Sequence, residues 1–274
     1  MLESGYPPIA PAGEAATATA VPSALQPRRS VRVAPPCPVL SVVVPTRNEE
    51  GNVSALCARL QEALRPTEAE VVFVDDSDDG TPEQVRAVAR RSEMAVRLVH
   101  RPPERRGNGL GGAVVEGSRV ARGAWICVMD GDLQHPPALI GPMLDVARAG
   151  GHDLVVASRF RAGGDATGLR PVRLLLSWLS KRSAHLLFPG RLSGVSDPMS
   201  GFFLVRRAAV DFDRLRPRGF KILVEILVRT PQLRVGEIGF HFGERVSGDS
   251  KAGAREAARY LAQLLAGRFG VRTR

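Results

Sequence analysis

Two carboxylates one residue apart, Asp130 and Asp132, with Gly131 between them and Gln134 just after, carry the most specific chemistry in the chain. They follow Trp125–Met129, a run apolar enough for a strand buried on both faces, and precede the helix-breaking pair Pro136-Pro137. Carboxylates placed so close to a buried strand are costly unless a cation sits beside them. A divalent ion carrying a diphosphate suits the pair, because such an ion takes hard oxygen ligands and a flexible Gly permits its approach. Asp and Gly also favour turns, so the spacing taken alone fits a solvated strand end as well. The surrounding chain decides between the two.

The elements that must position this pair alternate in type. Val39–Val44 is a β-branched run that Pro45 is expected to stop, and Pro45–Glu50 follows as a loop. Val53, Leu56, Cys57, Leu60 and Leu64 then share one helical face. A second buried strand, Val71–Val74, ends in Asp75 and Asp76. Thr81 is placed as an N-cap with Pro82 at the first helical position, opening a helix to about Ser92. Val96–His100 is a third strand, and Gly107–Gly112 is a turn before a helix carrying Leu110, Ala113, Val114, Gly117 and Val120. It matches neither the dinucleotide nor the P-loop glycine pattern. A helix around Leu139–Ala149, a strand Leu154–Ala157 ending in Ser158-Arg159, a strand Phe202–Val205, a mostly apolar Phe220–Val228 and a last strand Arg234–Phe240 complete the pattern.

Buried strands alternating with amphipathic helices predict an α/β fold, a mostly parallel sheet with helices on both faces. Ligands of such folds bind outside the carboxyl ends of the strands. Pro45–Glu50, Asp75-Asp76, Asp130–Gln134 and Ser158-Arg159 all fall at that edge, and four polar strand ends converging there favour a site over four independent turns.

The 274 residues carry a formal net charge of +10, and all but three of the basic residues are Arg. That balance suits an anionic partner, whether phosphate-bearing substrate, acidic lipid surface or nucleic acid. No apolar run approaches the roughly 20 residues of a membrane span, and a signal peptide is not expected, because the N-terminus lacks a basic start followed by an apolar block. Cys37, Cys57 and Cys127 have no paired spacing, so neither a zinc nor a disulfide framework is indicated. Residues 1–38, rich in Pro and Ala, are expected to be a disordered extension, and 39–250 the folded domain. Residues 251–274 are expected to form a basic amphipathic helix, which fits packing on the domain or lying on an anionic membrane equally.

The ordered motifs VVVPTRNE, VVFVDDSDDGT, DGDLQHPP, ASRF, SDPMSGFF, FKILVE and RVSGDSK resemble the inverting, GT-A-type glycosyltransferases of family 2, and among them the polyprenol (dolichol) phosphate mannosyltransferases. The resemblance spans about Val39 to Lys251. It implies a GT-A nucleotide-sugar fold and mannose transfer from GDP-mannose to polyprenyl phosphate on the cytoplasmic face of a membrane. Contact with that membrane would come through surface residues or a membrane-protein partner. It further implies that Pro45, Arg47, Glu49 and Asp76 hold the nucleoside, and that Asp130, Asp132 and Gln134 bind Mg²⁺ or Mn²⁺ on the diphosphate. Arg245 and Lys251 would fold over that diphosphate, while Arg159, Arg173 and Ser177 would receive the acceptor phosphate. Asp132, Arg159 and Arg173 are the residues expected to matter most for catalysis. Arg47 stands where the family commonly has an aromatic residue, and DGD stands where DAD is commoner.

The residues agree with such chemistry on their own terms. A phosphate monoester is already ionised near neutral pH and needs no strong base to attack a sugar, and no His stands beside a Ser or Cys in a nucleophile motif. Arg matches phosphate oxygens bidentately. Two other readings remain open. One is transfer of glucose or another sugar from UDP or GDP, to polyprenyl phosphate or to a hydroxyl; a hydroxyl would need a base, for which Asp197 is the evident candidate. The other is a basic nucleic-acid binder, against which stand the lack of any zinc-finger, RRM or basic-zipper pattern and the scarcity of aromatic residues.

Overall fold

The computed structural model describes Met1 and residues 38–65, 67–161, 188, 190–192, 194–217 and 222–241. The expected N-terminal extension and the C-terminal helix over 251–274 lie outside the described residues.

Among the described residues seven strands form one sheet in the order β3-β2-β1-β4-β6-β5-β7. They are β1 Leu40–Thr46, β2 Ala69–Asp75, β3 Ala95–His100, β4 Trp125–Val128, β5 Leu154–Ser158, β6 Phe203–Arg206 and β7 Val235–Gly239. All neighbours pair in parallel except β6, which runs antiparallel between β4 and β5. Among the described residues five helices cover the faces: α1 Glu50–Leu64, α2 Thr81–Ala89, α3 Gly109–Val120, α4 Ile140–Ala149 and α5 Ile222–Arg229.

The period-two alternation of the strands divides the core in two. Val43, Val72, Val74 and Val128 pack with α3 and α5 on one face. Val42, Val44, Val71, Phe73 and Cys127 pack with α1 and α4 on the other. The five positions expected along the α1 stripe are all buried. Cys57 and Cys127 are free buried thiols. Burial pushes the Cys57 thiol up to about 12 and raises that of Cys127 as well, so neither is a thiolate near neutral pH.

Three local expectations change. β1 runs through Pro45 to Thr46, with Pro45 opposite Val74. The Val43 carbonyl accepts the Met129 N–H at 3.2 Å, so residues 43 and 45 both turn their backbone groups toward β4. The ladder to β4 closes at the level where Pro45 lacks an N–H, while the pairing with β2 runs on unaffected. Thr81 is the first helical residue rather than the N-cap: its hydroxyl donates to Asp79 Oδ1 at 2.5 Å and accepts the Glu49 N–H at 2.9 Å. That helix stops at Ala89, three residues short of Ser92. The apolar stretch before Arg229 is a helix buried at every position from Ile222 to Val228.

α3 crosses close to the sheet at Gly117. A Cβ there would lie 2.5 Å from Val43 Cγ1 and 2.8 Å from Val74 Cγ2, both on stiff β-branched side chains. Ala would regain about 1 kcal/mol of helix propensity, but overpacking of this kind costs about 1–3 kcal/mol. At so short a contact the second effect wins, so Gly117→Ala is expected to lower the urea midpoint with an unchanged slope.

The chain runs β1, β2, β3 outward in one direction, then returns through α3 to place β4 on the other side of β1. The crevice outside the carboxyl ends of β1 and β4 is therefore the topological switch point, the ordinary ligand position in such sheets.

Candidate active site

The ends of β1 and β2 are tied together before any ligand is considered. Asp75, fully buried, accepts hydrogen bonds from the Thr46 hydroxyl at 2.8 Å and the Ser77 hydroxyl at 2.5 Å, and lies 2.7 Å from His100 Nδ1. Such a cluster offsets the cost of a buried carboxylate. Asn48 adopts a positive φ of 58°, which Asn tolerates. Its backbone N–H donates to Ser77 Oγ at 2.7 Å, and its side chain accepts the Asp78 N–H at 3.0 Å. Pro45 is buried in β1 and Arg47 is exposed beyond it. Glu49 Oε2 accepts from Asn52 Nδ2 at 2.7 Å.

Asp76, also buried, is gripped by a buried Arg101 through Nε at 2.7 Å and Nη2 at 2.5 Å, and Arg101 donates on to the Gly109 carbonyl at 3.0 Å. The first residue of α3 is thereby fastened to the same edge. Arg106 bonds the Asp78 carboxylate and holds it below the usual carboxylate range. Arg106 also donates to the Ser77 carbonyl at 2.9 Å.

Asp130 and Asp132 stand at the end of β4, on the switch-point crevice. Gly131 touches the end of β1: a Cβ there would lie 3.1 Å from Thr46 Cγ2. Leu133 sits at φ 65°, an uncommon conformation for a branched apolar residue, and its side chain is buried. That turn lets the Gln134 N–H reach back to Asp132 Oδ1 at 3.2 Å. Asp132 is buried, while the Asp130 side chain remains 37% exposed, so one carboxylate is fixed and the other opens to the crevice. The Asp130 N–H donates to His135 Nδ1 at 3.0 Å. An accepting Nδ1 means that the proton is on Nε2. Burial lowers the His135 pKa despite the nearby Asp130 and Asp132 carboxylates, so the ring is neutral at neutral pH. It stacks on Phe202 at 5.0 Å and meets Phe240 edge-on at 5.9 Å.

The donor set fits a hard divalent ion: two carboxylates and a Gln amide on one turn, all oxygen ligands. Among the described residues no group of three or more His, Cys, Asp or Glu converges as a closed cage. An ion here would complete its shell with phosphate oxygens and water, as Mg²⁺ and Mn²⁺ do in phosphate-handling sites.

Across β6, the end of β5 carries Arg159. Its Nε and Nη2 donate to the two oxygens of Asp197 at 2.8 and 2.9 Å, and its backbone N–H lies 3.3 Å from Asp197 Oδ2. The Asp197 side chain is 1% exposed. Antiparallel β6 is what brings the loop 196–202 to this edge. Because β4 and β5 flank β6, their ends lie about 10 Å apart at the usual strand spacing.

Pro45, Arg47, Glu49, Asp76, Asp130, Asp132, Gln134 and Arg159 thus all stand at the carboxyl edge of the parallel strands. Arg173, Ser177, Arg245 and Lys251 lie outside the described residues. Two groups were not foreseen. His135 was a lone His whose only signal was its place five residues after Asp130. Arg101 had none beyond following the third strand. Asp197, the evident candidate for a base had the acceptor been a hydroxyl, pairs with Arg159.

The family described as Glycosyl transferase family 2 matches residues 41–212. The chain is 37% identical over 226 residues to a dolichol-phosphate mannosyltransferase of Pyrococcus furiosus, covering 82% of this chain and 62% of that protein. It is 34% identical over 239 residues to a dolichol-phosphate mannosyltransferase of Saccharomyces cerevisiae, covering 82% and 85%. The chain therefore spans less than two thirds of the archaeal relative's length and most of the yeast one. Among solved structures, glucosyl-3-phosphoglycerate synthase from Mycobacterium tuberculosis, in complex with Mn²⁺, UDP and glucosyl-3-phosphoglycerate, superposes with a TM-score of 0.61 at 20% identity, covering 86% of this chain and 81% of that one. Mannosyl-3-phosphoglycerate synthase from Rubrobacter xylanophilus gives 0.58 at 18% identity, covering 84% and 73%. These likenesses show a common GT-A fold. With the sequence match extending from β1 past β6 and the acidic turn at its switch point, the chain belongs to glycosyl transferase family 2.

Proposed function

We propose that this glycosyltransferase moves mannose from GDP-mannose to a polyprenyl (dolichyl) phosphate. The observation that carries the reading is the pairing of two anion-handling ends on one edge: Asp130 and Asp132 at β4, and the Arg159–Asp197 fork at β5. Among the described residues the large apolar side chains left exposed are Met1 and Phe160, and Phe160 adjoins Arg159, whose guanidinium lies 5.6 Å from its ring centre. A cation beside an exposed apolar ring suits a phosphate carried on a hydrocarbon chain. The dolichol-phosphate mannosyltransferase relatives support the same substrates.

In this reading Pro45, Arg47, Glu49 and Asp76 border the nucleoside, with Asp76 held in shape by Arg101. Asp130, Asp132 and Gln134 hold Mg²⁺ or Mn²⁺, and Arg245 and Lys251 close on the diphosphate. A bound ion supplies charge neutralisation of the departing diphosphate. Arg159, with Arg173 and Ser177, places an acceptor phosphate oxygen in line with the sugar's anomeric carbon. That oxygen forms the new bond, the bond from the anomeric carbon to the diphosphate oxygen breaks, and GDP leaves with the electron pair. No proton moves, because a phosphate monoester with second pKa about 6 is largely dianionic at neutral pH. Both Asp197 oxygens are occupied by Arg159, which disfavours its use as a base for a hydroxyl acceptor.

The protein is proposed to act peripherally, at the cytoplasmic face of a membrane. No helix among the described residues is long and apolar enough to cross one. Offered labelled GDP-mannose, UDP-glucose and UDP-GlcNAc with polyprenyl phosphate, it is expected to put label into the organic extract from GDP-mannose alone. Label from UDP-glucose instead would overturn the sugar assignment, and label only in water-soluble product would overturn the acceptor.

A further inference from the structure

Glu237 stands in the middle of β7, opposite Val156 of β5, and its side chain is only 3% exposed. A buried carboxylate on a strand is costly unless it is bonded. Its Oε1 accepts the Ser196 N–H at 2.6 Å and the Ser196 hydroxyl at 3.0 Å, with the Asp197 N–H at 3.4 Å. Its Oε2 is buried without a hydrogen bond, and its nearest charge is Arg161 Nη1 at 3.7 Å, on a side chain 59% exposed. Ser196 in turn contacts the Ser158 hydroxyl at 2.6 Å, so the loop is clamped from β5 and β7 together. The next residue, Asp197, spends both oxygens on the Arg159 fork.

We infer that Glu237 is a positioning residue for the acceptor: by fixing the backbone of Ser196 and Asp197 it sets where Asp197 aims the Arg159 guanidinium. The inference rests on the reading of Arg159 as an acceptor-phosphate group. The force needed is hydrogen-bond acceptance by Oε1, not charge, because an ion pair with a largely exposed Arg contributes little. Glu237 bonds the start of the loop, at Ser196 and Asp197, whereas the loop approaches Asp130 only at its far end, at Gly201. Its influence is therefore expected to fall more on the acceptor than on the donor.

Glu237→Ala, Glu237→Gln and Glu237→Asp separate these roles. Ala removes the acceptor oxygen, and Asp draws the carboxylate back by one methylene, out of reach of the Ser196 N–H. Each is expected to raise the KM for polyprenyl phosphate about ten-fold or more, the worth of the two lost hydrogen bonds from Ser196. GDP affinity with Mn²⁺, measured by calorimetry, should stay within about two-fold, and Gln, which keeps an accepting oxygen, should restore the acceptor KM to within about three-fold. An independent readout is the ¹H–¹⁵N signal of Arg159 Nε, assigned through Arg159→Lys. It should be slow to exchange in wild type and should shift or broaden in the Ala and Asp variants. A signal unchanged in both would overturn the inference, as would equal losses for donor and acceptor, or a Gln variant no better than Ala. If Ala does not fold, Asp carries the same test. Wild-type protein that transfers nothing to polyprenyl phosphate would overturn the functional reading instead, while the Arg159 signal still tests the clamp.

Discussion

Asp132→Asn is expected to lower turnover on the order of 10²- to 10³-fold, the usual loss when a charge-stabilising group is removed from a preorganised site. The structure makes this substitution a clean one. Asp132 is buried, and its Oδ1 accepts the Gln134 N–H at 3.2 Å, a bond that the Asn carbonyl can also accept. Shape and that hydrogen bond are thus retained while one negative charge is lost from the pair. Thermal unfolding should therefore stay close to wild type, and Mn²⁺ titration by calorimetry in the presence of GDP should lose most of its heat. Chelator-treated wild type should match the mutant and recover on adding Mg²⁺ or Mn²⁺, which the mutant should not. Full activity of wild-type protein in EDTA would remove the ion from the mechanism, and with it the role given to Asp130, Asp132 and Gln134.

What the sequence made legible was whatever local pattern encodes. The apolar runs marked the strands, the stripe Val53–Leu64 marked α1, and the polar residues after each run marked the edge where ligands bind. Asp130 and Asp132 were visible because two carboxylates after a buried strand are unusual on energetic grounds alone. Antiparallel β6 was not visible, since strand direction depends on how residues 162–202 travel and not on composition. The partners of Asp76, Arg159 and Glu237 were hidden for the same reason: Arg159 and Asp197 are 38 residues apart, and no periodicity links them. Pro45 misled because its missing N–H faces β4 and closes that ladder only, leaving the pairing of β1 with β2 to run on to Thr46. Thr81 misled because its hydroxyl found a long-range partner, the Glu49 N–H, in place of a capping bond.

The Arg159–Asp197 pair supports the other large expectation. Asp197→Asn should destabilise the protein by about 3 kcal/mol, the lower end of what breaking a buried ion pair costs, because the Arg159 side chain keeps 12% exposure and some access to water. It should also lower the rate at subsaturating polyprenyl phosphate by about ten- to a hundred-fold, since an unaligned fork loses one or two charge-assisted bonds to the acceptor. Arg159→Ala should have a similar effect on acceptor use. The double variant should be little worse than either single one, because residues acting as a unit are not additive. The pH dependence separates this from a base role. Were Asp197 a general base, its removal would cost a further factor of up to about 10⁴ and erase an acid-side limb of the rate profile. If it only aims Arg159, the remaining activity keeps the wild-type profile, set by ionisation of the acceptor phosphate. An additive double variant, or a lost acid limb, would return Asp197 to the list of bases and reopen transfer to a hydroxyl acceptor.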